Sequence, residues 1–193
     1  MTMDEARMLE ALRDAGAVLH GHFQLTSGRH SDTYVQCARV LEDPALTNEL
    51  GRAIADDVAG RGIEVVAAPA VGGIIIGYAV AQALGVRFIF SERVGGVMTF
   101  RRGFSVRPGE RVLVVEDVVT TGGSVAEVVG LVETAGGVVT AVASIIDRGG
   151  PKAFDAEFRP LLQLQVESME PDECPLCAAG TPVDSPGSRR LSS

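Results

Sequence analysis

Apolar positions recur in two rhythms along this chain. Met8, Leu9, Leu12 and Ala15 fall at helical spacing behind a Thr2-x-x-Glu5 capping box, and Gly16 closes that segment. Residues 20–36 are polar and glycine-containing and alternate toward Thr33-Tyr34-Val35-Gln36, a loop leading into a strand. Asp43-Pro44 sets a helix start, with Asp at the cap and Pro at the first helical position. Leu46, Leu50, Ile54 and Val58 then share one face, and Gly60 and Gly62 stop the helix. From there short apolar runs alternate with helical stretches. Glu64–Ala68 reads as a strand ended by Pro69, and Gly72-Gly73 opens a helix through Ile76, Val80 and Leu84 to Gly85. Val86–Phe90 and Arg111–Val115 are further strands, the latter apolar enough to be covered on both faces. Ser124–Ala135 is a helix stopped by Gly136-Gly137, and Val138–Ile146 is a long strand. This order predicts an α/β fold with right-handed crossovers and an open, mainly parallel sheet flanked by helices.

Two segments break the rhythm. Residues 93–107 carry Gly95-Gly96, Val97-Met98-Thr99-Phe100 and Arg101-Arg102-Gly103-Phe104, either a two-stranded flap or a mobile loop. From Pro171 onward the chain is rich in Pro, Ser, Gly and Cys, and residues 171–193 read as an irregular tail. With 193 residues, one domain is expected over 1–193. A net charge of −8 disfavours a nucleic-acid partner held by backbone charge. No apolar run reaches 18 residues, so no membrane span is expected. The three cysteines, with no basic-then-apolar leader pattern, point to a reducing, cytoplasmic location. Lys152 is the only lysine among 17 basic residues, and arginine forks suit phosphate and carboxylate.

The chemistry concentrates in Val114-Val115-Glu116-Asp117-Val118-Val119-Thr120-Thr121-Gly122-Gly123-Ser124. A buried strand ends in two acids, and a loop of hydroxyls and glycines leads into a helix. Free N–H groups at that helix start favour an anion. Thr120, Thr121 and Ser124 can add hydroxyl donors, and the glycines let the backbone come close. Two acids beside a bare phosphate would repel it, and no lysine in the loop supports a Walker-type site. The acids make sense if they accept hydrogen bonds from the vicinal hydroxyls of a ribose, or help hold a metal that travels with the substrate. The ligand implied is a ribose carrying a 5′-phosphate.

Glu116–Ser124 resembles the signature for 5-phosphoribosyl 1-diphosphate (PRPP) in the type I phosphoribosyltransferases. The segment from Gly21 to Tyr34, with Thr26-Ser27-Gly28-Arg29-His30-Ser31 at its centre, resembles the substrate segment of the orotate phosphoribosyltransferases. Cys174-Pro175-Leu176-Cys177 resembles the tail of one bacterial and archaeal branch. The resemblance implies the type I phosphoribosyltransferase fold and transfer of a phosphoribosyl group from PRPP to orotate, giving orotidine 5′-monophosphate and pyrophosphate in pyrimidine (UMP) biosynthesis. It implies Mg²⁺, held mainly by PRPP rather than by side chains. It also implies that Glu116 and Asp117 hold the ribose hydroxyls and that Val118, Val119, Thr120, Thr121, Gly122, Gly123 and Ser124 wrap the 5′-phosphate. Ala70, Val71, Gly72 and Gly73 would form the pyrophosphate loop. Thr120, Arg148, Thr26, Ser27, Gly28 and Tyr34 would face orotate. Arg93, Arg101, Arg102 and Asp117 would be catalytic, within a flexible loop over 93–107 that reaches a neighbouring subunit's site in a homodimer. Residues 1–40 would form a hood over the substrate. Transfer to a purine base, or PRPP sensing without catalysis, are the alternative readings.

Some positions depart from that pattern. The better-known orotate enzymes carry several lysines and a histidine in the loop, and a lysine where Thr26 stands. Cys174-x-x-Cys177 has the spacing of a zinc or redox pair. Zinc needs about four ligands, and no nearby His or Cys completes the set along the chain, so a tail turn is expected, with a site shared by two subunits as the alternative. Cys37 is expected in the core, His30 at the orotate pocket, and Arg29 either at the leaving diphosphate or in solvent.

Overall fold

The computed structural model describes residues 5–25 and 27–186. Thr2 of the capping box and Thr26 lie outside them. The elements are α1 (Glu5–Asp14), a hairpin of β1 (Val18–Gln24) and β2 (His30–Val35), a short α2 (Ala38–Leu41), and α3 (Pro44–Asp57). They continue as β3 (Val65–Pro69), α4 (Gly72–Leu84), β4 (Arg87–Val94), β5 (Val97–Phe100), β6 (Arg111–Val119), α5 (Gly123–Thr134), β7 (Val138–Asp147) and β8 (Phe158–Gln163). A 3₁₀ turn at Pro171–Glu173 and the one-turn α6 (Pro175–Ala178) follow.

Six strands form the main sheet in the order β5-β4-β3-β6-β7-β8, and only β5 runs antiparallel to its neighbour. Side-chain alternation along each central strand divides the core in two. Val66, Leu113, Val115, Ala141, Ala143 and Ile145 meet α1, α3 and α4 residues such as Met8, Leu12, Leu50, Ile54 and Ile76. Val65, Ala67, Val112, Val114 and Val142 meet α5 through Val125, Val128 and Val132. Covered on both faces, β3 and β6 read as unbroken apolar runs, and each buried Val adds about 1.5–3 kcal/mol. The Asp43-Pro44 start is realised: Asp43 accepts from the N–H groups of Ala45 and Leu46 at 2.8 and 3.3 Å.

Several expected boundaries shift. β1 occupies part of the expected loop, because His20, Phe23 and Gln24 pair with Thr33, Ser31 and His30 across a bulged hairpin. β6 runs past its apolar section through the two acids to Val119, since β7 supplies a parallel partner as far as Asp147. β8 at the sheet edge has no counterpart in the sequence reading. Residues 93–107 begin as the β4–β5 hairpin, the two-stranded form of the two expected, with Arg93 opposite Met98. The tail is not free. Asp184 pairs with Phe23 and Gln24, Met169 exchanges two backbone hydrogen bonds of 2.9 Å with His30, and Arg29 holds Ser168 and Glu170. Arg29 is therefore engaged by residues 168–170.

Glu110 locks the segment that returns from the hairpin to β6. Its carboxylate is buried and accepts from Arg87 at 2.5 Å, from the Arg107 N–H at 2.9 Å and from the Arg107 guanidinium at 2.8 Å. Burial alone would raise its pKa, but hydrogen bonds from Arg87 and Arg107 outweigh it and hold the carboxyl down to about 2. A depressed pKa stabilises the fold above the unfolded value of about 4.3, and that contribution is lost as pH falls toward the folded value. Glu110→Gln is expected to cost about 1–3 kcal/mol at pH 7. Denaturant titrations should also show a smaller loss of stability between pH 5 and 2 than in the unaltered chain; equal losses would contradict this role.

Candidate active site

Three neighbouring strands, β3, β6 and β7, end at the same edge of the sheet and pass into loops there. In open parallel sheets this carboxyl edge is where ligands bind. The ends of β3 and β6 each feed a helix whose first turn is unprotected. α4 begins after Val71 and α5 after Gly122, and neither start receives a side-chain cap. α3, by contrast, is capped by its own Asp43. The loop between β6 and α5 is open, with Thr120, Thr121 and Gly123 exposed and Ser124 half-buried. Gly122 has φ +74°, and a Cβ there would lie 2.5 Å from the Phe154 ring, so the turn requires glycine. Val118 and Val119 still belong to β6: the Val118 N–H donates to Asp117 at 2.8 Å, and the Val119 side chain is buried in the α5-side core. Residues 120–124 form the open part of the loop.

Glu116 and Asp117 sit beside the start of α4. A Cβ on Gly72 would fall 2.8 Å from Asp117 Oδ1, and one on Gly73 would fall 3.0 Å from Glu116 Oε1. Only glycine lets the helix start approach the acids so closely. Burial, the Asp117 charge and hydrogen bonding to Asp117 push the Glu116 carboxyl well above the usual range. Burial also raises Asp117, partly offset by hydrogen bonds from Glu116 and the Val118 N–H. Neither acid takes part in an ion pair among the described residues. The pair is thus ready for hydroxyl donors or a cation.

Arg148 follows β7, with its N–H on the Val119 carbonyl at 2.9 Å. Its Nε is buried with no hydrogen-bond partner. Burial lowers its pKa, and the nearby Tyr34 hydroxyl and Cys37 thiol act against that. Burial raises Tyr34, which also feels Arg148 and Asp117, and raises the buried Cys37, which feels Asp117, Glu116 and Arg148. Tyr34, Arg148 and the two acids therefore share one electrostatic environment. Lys152, overlooked in the sequence, shapes this loop. Its Nζ donates to Asp147 at 2.6 Å and to the Gly149 and Gly150 carbonyls at 3.0 Å.

Other expected site residues sit in the β1–β2 turn, between β3 and α4, and along the β4–β5 hairpin. Gly28 sits in the hairpin turn at φ +85°, its N–H on the Leu25 carbonyl, and Ser27 is exposed beside it. Ala70 donates to the Ser91 carbonyl at 2.7 Å, while Val71 is 82% exposed. Arg93 pairs with Glu127 at 2.7 Å, Arg102 with Glu92 at 3.2 Å, and Arg101 lies 3.6 Å from Glu92. All three arginines lie along the hairpin edge, Arg93 on Glu127 and the other two sharing Glu92. His30 is buried against His22.

The phosphoribosyl transferase domain family matches residues 38–159. An orotate phosphoribosyltransferase of Pelotomaculum thermopropionicum is 52% identical, over 99% of this chain and 100% of its own. The chain belongs to the orotate phosphoribosyltransferase family. A second member, from Heliobacterium modesticaldum, is 53% identical over 97% of this chain and 100% of its own. The crystal structure of Mycobacterium tuberculosis orotate phosphoribosyltransferase in complex with Fe(III) dicitrate aligns with a TM-score of 0.69 at 29% identity. That alignment covers 83% of this chain and 97% of the other. No helix among the described residues is long and apolar enough to cross a membrane.

The acids carry a stability signature of their own. A carboxyl whose pKa is raised in the folded state costs stability as pH rises from its unfolded value through its folded one. Glu116→Gln removes that cost. Its thermal midpoint should exceed that of the unaltered chain at pH 8, each kcal/mol appearing as about 2–4 °C, with the gap closing toward pH 4. A lower midpoint at pH 8 would remove this account of the site.

Proposed function

We propose that this crevice transfers a 5-phosphoribosyl group from PRPP to orotate, releasing pyrophosphate and giving orotidine 5′-monophosphate. The observation that carries the reading is an acid pair, Glu116 buried and Asp117 half-buried, with no ion-pair partner among the described residues and flanked by two uncapped helix starts. PRPP offers what each part needs: a diol for the acids, a 5′-phosphate for residues 120–124, and a diphosphate for the start of α4 at Gly72-Gly73. As the bond from C1 to the diphosphate breaks, positive charge builds on the ribose ring, and fixed carboxylates at Glu116 and Asp117 stabilise it. Arg148, with an unpartnered buried Nε, receives the orotate carboxylate. Tyr34, Thr120, Ser27 and Gly28 complete that pocket.

Magnesium fits this arrangement as a guest of the substrate. It takes oxygen ligands and usually binds through one or two carboxylates plus substrate phosphates. Glu116 and Asp117 supply such oxygens, and among the described residues no third His, Cys, Asp or Glu joins them to make a closed cage. When bound, Mg²⁺ neutralises charge on the departing diphosphate. The direct test is loss of orotate's ultraviolet absorbance on adding PRPP with Mg²⁺. Adenine consumed in place of orotate would overturn the assignment. Arg148→Ala should raise the KM for orotate about 10–100-fold, the loss of one charged hydrogen bond, with a smaller change in the KM for PRPP.

The hairpin of β4 and β5 acts as the lid, its Arg101 and Arg102 exchanging Glu92 for the diphosphate on closure. The chain works as a homodimer, in which each lid serves the partner's site. Apolar residues left exposed on α4 and the hairpin support a second subunit there: Val71, Ile75 at 51%, Tyr78 at 60% and Val97 at 68%. Mixed subunits test both points. Arg101→Ala and Asp117→Asn chains, each nearly inactive alone, should regain about a quarter of full activity when unfolded and refolded together, because half the dimers pair one complete site with one doubly damaged site. No recovery would mean that the lid serves its own subunit.

A further inference from the structure

The tail and the β1–β2 hairpin bring together four side chains that the proposed reaction does not use. His22, His30, Cys174 and Cys177 each offer a ligand atom, and those atoms all lie within 4.8 Å of one another. His22 Nε2 is 2.8 Å from His30 Nδ1, 3.5 Å from Cys174 Sγ and 3.6 Å from Cys177 Sγ. Cys177 Sγ is 3.2 Å from His30 Nδ1. A tetrahedral zinc with bonds of about 2.3 Å to sulfur and about 2.0 Å to nitrogen places its ligand atoms roughly 3.3–3.8 Å apart. The three sulfur–nitrogen distances approach that geometry, and the nitrogen pair needs to open by about 0.5 Å.

The hydrogen bonding around the cluster is that of a metal ligand set. His22 Nδ1 lies 2.8 Å from the Thr181 carbonyl. A carbonyl only accepts, so Nδ1 carries the proton and Nε2 turns a lone pair toward His30 and the two sulfurs. A ligating imidazole held by a carbonyl on its other nitrogen is the usual outer-shell arrangement. Both histidines and Cys174 are buried, while Cys177 is exposed and leaves an entry path. All three cysteines of the chain are free thiols.

We propose that His22, His30, Cys174 and Cys177 form a structural zinc site that fastens the tail to the substrate-side hairpin. Binding takes one Zn²⁺, forms two Zn–S and two Zn–N bonds, and releases the two thiol protons. Two thiolates and two neutral imidazoles leave the site with no net charge, as a buried position requires. The metal clips together segments about 150 residues apart in sequence that are otherwise joined by the Met169–His30 and Asp184–Gln24 backbone contacts. The site stands apart from the acid pair, so its existence does not depend on the proposed reaction.

Elemental analysis of the full chain, purified without chelator, is expected to give about one zinc per chain. Stripping the metal should lower the thermal midpoint, and zinc should restore it. Reloading with Co²⁺ should give the visible absorption of tetrahedral cobalt with a thiolate charge-transfer band. Both should be lost in Cys174→Ser and Cys177→Ser and kept in Cys37→Ser. Should the serine variants fail to fold, the metal content and cobalt spectrum of the unaltered chain still decide the matter. A metal-free chain whose midpoint ignores added zinc and whose cobalt form lacks these bands would overturn the proposal. So would a Cys174–Cys177 disulfide in the protein as purified.

Discussion

Two carboxyl groups without a cation, held at the end of a strand buried on both faces, set the terms for the rest of this molecule. Burying Glu116 and Asp117 costs free energy, as their raised pKa values record. The cost is offset a few residues earlier on the same strand, where Val112, Leu113, Val114 and Val115 are fully buried between α4 on one side and α5 on the other. The strand cannot turn the acids out to solvent without breaking its pairing to β7, which runs through Glu116, Val118 and Val119. Sheet pairing therefore holds in place a charge arrangement that local energetics would relax.

The helix starts follow the same logic. α3 satisfies its first N–H groups with Asp43 and has nothing left to offer a ligand. α4 has Val71 at that place and α5 has Gly122, and neither side chain caps its helix. A serine or aspartate cap at Val71 or Gly122 would stabilise each helix by about 0.5–2 kcal/mol, yet it would occupy the donors that an anion needs. At Gly72 and Gly73 the lack of a side chain also allows the approach to the acids. Helix stability is thus given up at the two starts beside the acids and kept where no ligand is held.

What could be read along the chain was whatever is written in consecutive residues. The Asp43-Pro44 start, the runs of β3 and β6 and the glycine-rich turn at 122–123 each state their structure within a few positions. What could not be read depends on partners far away. β1 looks like a loop because its residues are polar, and it becomes a strand through the register of Phe23 with Ser31 and of Gln24 with His30. Val118 and Val119 lie between the acids and the threonines, and β7 extends far enough to keep them in the sheet. The Cys174-x-x-Cys177 pair seems to lack companions because His22 and His30 belong to the opposite end of the chain. The hairpin turns both histidines to one side, and the tail returns across it.

The arginines show how structure sorts a residue type that composition leaves uniform. Fork geometry makes any of them a candidate for phosphate or carboxylate. Arg29 is held by Glu170 and Ser168, Arg87 and Arg107 by Glu110, Arg93 by Glu127, and Arg102 by Glu92. Each of these must surrender a protein carboxylate before binding a ligand anion, which reduces the net gain. Arg148 has no such bond to give up. Its Nε is buried and unpartnered, it lies in the electrostatic range of Tyr34, and its backbone is fixed to the end of β6. An unsatisfied buried donor costs about 1–3 kcal/mol, and a ligand carboxylate arriving there recovers that cost on binding. An arginine held buried without a partner of its own is for that reason well placed to recognise an acidic substrate.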